Sequence, residues 1–154
     1  MALAGRVERL WIDAQERMLG RLERLRVSSI APHLGTGLRG ERAALFELRR
    51  RGVVVVARRW TSAKLRGDVD LIGWDGETLC FYEVKTRTRR DLTPAESAVD
   101  DLKRDMVRGL ARAYLRTFPE SERDTIAVRF DVVSVYSLGV KTEFEIFKGA
   151  FGWR

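Results

Sequence analysis

Two acids, Asp68 and Asp70, precede an apolar stretch near the middle of the chain, and an acid and a base, Glu83 and Lys85, follow it. Residues i and i+2 of a β-strand point to one side of a sheet, so each pair shares a face if both segments are strands. The sequence between them favours strands. Leu71, Ile72 and Trp74 lead to Asp75-Gly76, a dipeptide suited to a tight hairpin turn, and Leu79, Cys80, Phe81, Tyr82 and Val84 lead away from it. With Asp75-Gly76 as a two-residue turn, the register sets Asp68 opposite Glu83 and Asp70 diagonally beside it. Three carboxylates and an ammonium at one end of an apolar hairpin are costly unless a cation or a reaction accounts for them. Two carboxylates can hold Mg²⁺ or Mn²⁺ through hard oxygen donors. Such an ion polarises a phosphodiester and lowers the pKa of its water. A lysine on the same face orients that water or neutralises developing charge. The spacing therefore points to metal-dependent phosphodiester hydrolysis.

Other candidate motifs fail on context. Glu-x-Lys is a weak signal in a chain that is 33% charged, and Asp101-Leu102-Lys103 repeats an acid-x-Lys pattern. That copy falls on an expected helix, where residues i and i+2 point apart and cannot converge on one metal. Gly35-Thr36-Gly37-Leu38-Arg39-Gly40 matches GxGxxG, but a dinucleotide fingerprint needs a strand before it, and Ser28 to His33 is not one. His33, the one histidine, has no neighbouring ligand in sequence, and Cys80, the one cysteine, falls in an apolar strand and fits a reducing compartment.

The elements that must position the acids follow from hydrophobic periodicity. Val7, Leu10, Trp11, Ala14, Met18, Leu22 and Leu25 mark one stripe of a helix over about Arg6 to Arg26, read as a surface helix packed by that stripe. A dimerisation helix and an arm along a phosphate backbone are the alternatives. Ser28 to Leu38 reads as a linker, and a helix from Gly40-Glu41 to Arg51 has Ala44, Leu45 and Leu48 inward. Val53 to Ala57 is a β-branched run expected to be buried on both faces. Thr61 to Arg66 reads as a polar loop before the hairpin. A helix from about Asp100 to Phe118 carries Leu102, Met106, Leu110 and Tyr114 inward and Lys103, Arg104, Arg108, Arg112 and Arg116 outward, with Pro119 ending it. Strands at Thr125 to Tyr136 and Lys141 to Phe147 follow, then a tail whose Phe151 and Trp153 are suited to docking. Arg129 and Asp131 read as a structural pair.

A chain of 154 residues is the size of one domain. Its formal charge of +7 favours an anionic partner. No apolar run is long enough to span a bilayer, which excludes a helical membrane protein, and the expected location is cytoplasmic.

Taken jointly, several motifs resemble one family. They are Gly40-Glu41 opening a helix, Arg66-Gly67-Asp68-Val69-Asp70-Leu71-Ile72, Phe81-Tyr82-Glu83-Val84-Lys85-Thr86-Arg87, Arg129-Phe130-Asp131-Val132-Val133, and Ala150-Phe151. Over about Gly37 to Phe151 the chain resembles the YraN family of small bacterial proteins, assigned to the PD-(D/E)XK nuclease superfamily and similar to archaeal Holliday junction resolvases. The resemblance implies an α/β fold with a restriction-endonuclease-like mixed central sheet flanked by helices, behind an extra N-terminal helix. It divides the chain into an N-terminal helix and linker (1–36) and a nuclease-like domain (37–154). It makes Glu41 the acid on the first helix of that domain, Asp70 the PD-type aspartate and metal ligand, and Glu83 and Lys85 the E-x-K pair, with Glu83 the second ligand. Asp68 stands where the family usually has Glu, and Arg59 where it usually has Asn. The implied function is Mg²⁺- or Mn²⁺-dependent endonucleolytic cleavage of DNA, branched or damaged substrates included, with Arg87, Arg89, Arg90 and Lys103 meeting phosphates. The competing readings are a nucleic-acid-binding protein without turnover and a protein-interaction module, including a homodimer, working through the N-terminal helix.

Overall fold

A computed structural model of the chain describes residues 2–26, 32–87, 100–138 and 140–154. Helices α1 (Ala2–Arg26) and α2 (Pro32–Arg50) precede strands β1 (Val54–Ser62), β2 (Leu65–Asp75) and β3 (Thr78–Arg87). Helix α3 (Asp101–Leu115) and the short α4 (Glu120–Arg123) lead to β4 (Ala127–Leu138) and β5 (Lys141–Phe151). The five strands form one sheet in chain order. It is antiparallel except where β3 pairs β4 in parallel, the pairing that requires the crossover through α3. This is the α/β architecture expected, a mixed sheet with helices on both faces behind an additional helix.

Each face has its own core. On one side α2 sets Ala44 and Leu48 against Leu71, Cys80, Tyr82, Val133 and Val135. On the other α3 sets Val107, Leu110 and Ala111 against Ile72, Leu79, Phe81 and Phe130. The strands between two helical layers therefore bury both faces, and β3 exposes nothing from Leu79 to Glu83.

Five expectations change. The hairpin turn is Gly76-Glu77, flanked by the paired Asp75 and Thr78. Gly76 takes a φ of 61°, and a glycine with positive φ at the first central position makes a tight two-residue loop of the II′ kind. The stretch read as linker is helical from Pro32, which at the first helical position lacks no hydrogen bond, and α2 runs through Gly35 and Gly37. Strand β1 is the sheet's edge, with β2 its one neighbour, and it exposes Val54 and Val56 instead of burying both faces. Thr61 to Arg66 is mostly strand, split between the ends of β1 and β2.

The fifth concerns α1. Its stripe does not face the domain: Leu10, Trp11, Met18 and Leu22 are exposed, while Ile12 and Gly20 are buried. The outer side of α2 presents Arg49 and Arg50, so α1 docks by its polar side. Arg49 donates to Gln15 at 2.8 Å, Arg50 donates to Asp13 at 2.8 Å, and Arg50 pairs with Glu16. No described helix is long and apolar enough to cross a membrane.

The C-terminal segment docks on α3. Phe151 stacks on Phe130 with ring centroids 5.0 Å apart, and Trp153 meets Phe130 edge-on. Arg104 and Arg108 lie over Phe151, Arg112 lies over Trp153, and Arg108 donates to the Gly152 carbonyl at 2.7 Å. The basic side of α3 is therefore largely covered by the tail.

Candidate active site

The turn lies one residue further on, which moves each residue's cross-strand partner by two positions. Leu71 pairs Tyr82 at the end of the ladder, and continuing that register one step brings Asp70, in place of Asp68, level with Glu83. Directly opposed residues share a face. Beyond that point β2 leaves β3, and the Asp70 carboxylate takes up the freed strand donor: Val84 N–H donates to Asp70 Oδ2 at 2.7 Å. Glu83 and Lys85 share the face by strand alternation, and Lys85 Nζ lies 3.1 Å from Glu83 Oε1.

The two facing helices add a residue each. α2 passes so close to β3 that a Cβ on Gly40 would fall 1.8 Å from Thr86 Oγ1. Only glycine permits that approach, and it delivers the next residue, Glu41, to the same end of the sheet. Glu41 Oε2 is buried and accepts no hydrogen bond, and it feels the charges of Arg59, Asp68 and Glu83. From the other face, α3 begins at Asp100, whose carboxylate caps the Lys103 N–H at 2.7 Å. Lys103 Nζ then reaches Glu83 Oε2 at 3.1 Å.

Burial dominates the electrostatics. Asp70 is 8% exposed and Glu83 4%. Desolvation, and after it the Glu83 charge, pushes the Asp70 carboxyl up to about 7, against the Val84 hydrogen bond and the Lys103 charge, which lower it. Burial also raises Glu41, with Arg59 and Arg58 opposing. For Lys103 burial disfavours the ammonium, but Glu83 and Asp70 outweigh it and hold the group above its ordinary range.

Asp68 stands apart from this cluster. Its carboxylate lies 3.3 Å from Arg59 Nε, and the same nitrogen is 3.8 Å from Glu41. Arg59 adopts a φ of 49°, the left-handed region that asparagine tolerates and a bulky residue does not. An asparagine, as the family resemblance implies here, would suit this backbone, and the arginine lies within ion-pair distance of both Asp68 and Glu41. Arg87 ends β3 beside Tyr136 of β4. Arg89 and Arg90 lie outside the described residues. Arg129 and Asp131 form the structural pair expected: Arg129 Nε donates to Asp131 at 2.8 Å, and Asp131, fully buried, also accepts the Gly149 N–H at 2.9 Å.

Lys103 is the residue whose place the sequence reading misassigned, on the outer face of its helix. The triplet Asp101-Leu102-Lys103 does not converge, since the Asp101 side chain is 93% exposed, and Leu102 is likewise exposed. The signal was present in the phase: Lys103, Val107, Leu110 and Ala111 are spaced by four, seven and eight, one stripe of a helix.

The family-model match covers residues 40–135 and carries the description uncharacterised protein family UPF0102. The chain belongs to that family. A UPF0102 protein of Koribacter versatilis is 49% identical over 119 residues, 77% of this chain and 80% of the relative. A UPF0102 protein of Solibacter usitatus is 46% identical over 112 residues, covering 73% of this chain and 82% of its own length. One from Chlorobaculum tepidum is 36% identical over 122 residues, 75% and 90% of the two chains. The matched UPF0102 region contains β1 to β3, α3, most of β4 and every described site residue above, and α1 lies outside it.

The donor set suits a hard divalent cation. Asp70 and Glu83 offer carboxylate oxygens across one register position, and Glu41 has a buried oxygen without a hydrogen bond. Among the described residues no three Asp, Glu, His or Cys side chains already close round one point. Two ammonium groups stand on Glu83 instead.

Proposed function

We propose that the chain is a metal-dependent endonuclease that hydrolyses DNA phosphodiester bonds, branched or damaged DNA included. One observation carries the reading: two nearly buried carboxylates, Asp70 and Glu83, oppose each other at the polar end of an otherwise apolar hairpin, with Lys85 against Glu83. A fold buries such charges at several kcal/mol each, so the arrangement demands a use. Asp70 and Glu83 would hold Mg²⁺ or Mn²⁺, which when bound neutralises phosphate charge and acidifies a water. Glu83 has an ammonium group within 3.1 Å of each carboxylate oxygen. Lys85 lies at the mouth of the pair, about a third exposed, where its ammonium can meet a phosphate oxygen and offset the charge that grows there. Glu41, with Oε2 buried and not hydrogen-bonded, is the third carboxylate at this end of the sheet. The net charge of +7 draws the polyanion in.

The test is a cleavage panel of single strand, duplex, flap and four-way junction with Mg²⁺, Mn²⁺ or chelator, run beside Asp70→Ala, Glu83→Ala and Lys85→Ala. Each substitution should lower cleavage by roughly 10²-fold or more while DNA binding persists and weakens steeply with salt. Wild-type binding without cutting, or variants that cut like wild type, would refute catalysis. A second reading, a protein-interaction module, is favoured by the outward stripe of Leu10, Trp11, Met18 and Leu22 on α1. Binding to DNA that ignores salt would favour it.

A further inference from the structure

Glu83 carries one ammonium on each carboxylate oxygen, and the two have different origins. Lys85 arrives with the strand itself, two residues on. Lys103 arrives from α3, across the helix–sheet interface. Its ammonium is also within the field of Asp70 and Asp68, and its charge lowers the Asp70 carboxyl against the burial that raises it. Lys103 thus stands on the carboxylate pair as a cation in its own right.

We infer that Lys103 is an internal counter-cation of this site: it holds Glu83 and Asp70 together before a divalent cation binds, and its ammonium is displaced when one does. The inference rests on reading Asp70 and Glu83 as the cation's ligands. Two ammonium groups, Lys85 and Lys103, already face the carboxylates, so a divalent ion repels both and displaces the one that its own element holds less favourably. That is Lys103. Its backbone is fixed by the Asp100 cap, and its side chain is a four-carbon stem like that of Lys85, a quarter exposed against about a third, so exposure does not separate the two and position in the fold does. It sits in the first turn of α3, where the helix dipole disfavours a cation, a penalty that Lys85 on its strand does not carry. Once released, it lies at a helix N-terminus beside the site, positioned for a substrate phosphate. The site would be closed by a lysine and opened by its own metal.

The experiment titrates MnCl₂ into the full-length protein by calorimetry, comparing wild type with Lys103→Met and Lys103→Gln, and with Lys148→Met as a control far from the site. Removing the competing charge should tighten Mn²⁺ binding about ten-fold in both Lys103 variants and leave the control unchanged. Binding equal to or weaker than wild type overturns the inference. A second measurement needs no variant: amine acylation of wild type, read by mass spectrometry, should label Lys103 faster with Mn²⁺ than with chelator, while Lys148 stays constant. Unchanged Lys103 labelling overturns it equally. If Mn²⁺ binds as described but no DNA is cut, the inference stands and the nuclease reading falls. If none of the proteins binds Mn²⁺, the inference falls.

Discussion

Replacing Asp70 by Asn should stabilise the protein in chelator, and by more as the pH rises. Burial first, and the Glu83 charge second, carry the folded Asp70 carboxyl from its ordinary 3.8 to about 7. The folded state therefore holds this proton more tightly than the unfolded chain. Below pH 4 both states are protonated and Asp70 costs nothing. Between pH 4 and pH 7 the unfolded chain ionises first, and folding loses about 1.4 kcal/mol per pH unit. Above pH 7 the cost is complete, on the order of 2–4 kcal/mol. Asn carries no charge and keeps the local structure, because its Oδ1 can accept the Val84 N–H that Asp70 now accepts at 2.7 Å. Urea unfolding of both proteins in EDTA at pH 5 and pH 8 measures the effect. The stability advantage of Asp70→Asn should widen by about 2–3 kcal/mol between the two pH values at unchanged m. A difference that stays flat, or a variant less stable than wild type at pH 8, would refute the claim that Asp70 is held in an unfavourable charge state. Added Mn²⁺ should raise the melting temperature of wild type and not of the variant.

Three further outcomes test the supporting structure. Asp131→Ala should cost about 3–5 kcal/mol, because it strands Arg129 and the Gly149 N–H. The folded fraction should still cleave DNA, and loss of cleavage in folded protein would make Asp131 more than structural. Gly40→Ala should cost about 1–3 kcal/mol by driving α2 off β3, and Thr86→Ala on the same background should recover much of it; no recovery in urea melts would disprove the close contact. Arg59→Asn should gain about 0.5–1 kcal/mol by relieving the backbone at φ 49°, since ion pairs to a half-exposed arginine contribute little. A loss of stability would mean those pairs outweigh the strain.

Local rules in the sequence determined much of this protein. Strand alternation put Glu83 and Lys85 on one face, the turn residues made the hairpin, and the 3.6-residue period located α1 and α3. Even the expected Arg129–Asp131 pair is an i, i+2 relation along one strand. What the sequence left open was which surface each pattern faces, because that depends on partners far away in the chain. The stripe on α1 is real, but the arginines of α2 attract its polar side instead. The β-branched run of β1 looks like a buried strand, but its place at the sheet edge leaves Val54 and Val56 in solvent. The turn was misplaced by one residue and each cross-strand partner by two, since either Asp75-Gly76 or Gly76-Glu77 is an acceptable loop and only the assembled sheet selects. Lys103 was read as outward by phasing α3 on Leu102. Tertiary packing turned the helix to bury Val107, Leu110 and Ala111, and that rotation carried Lys103 onto Glu83. Periodicity fixes which residues travel together; only the competition for burial and countercharge decides where they arrive.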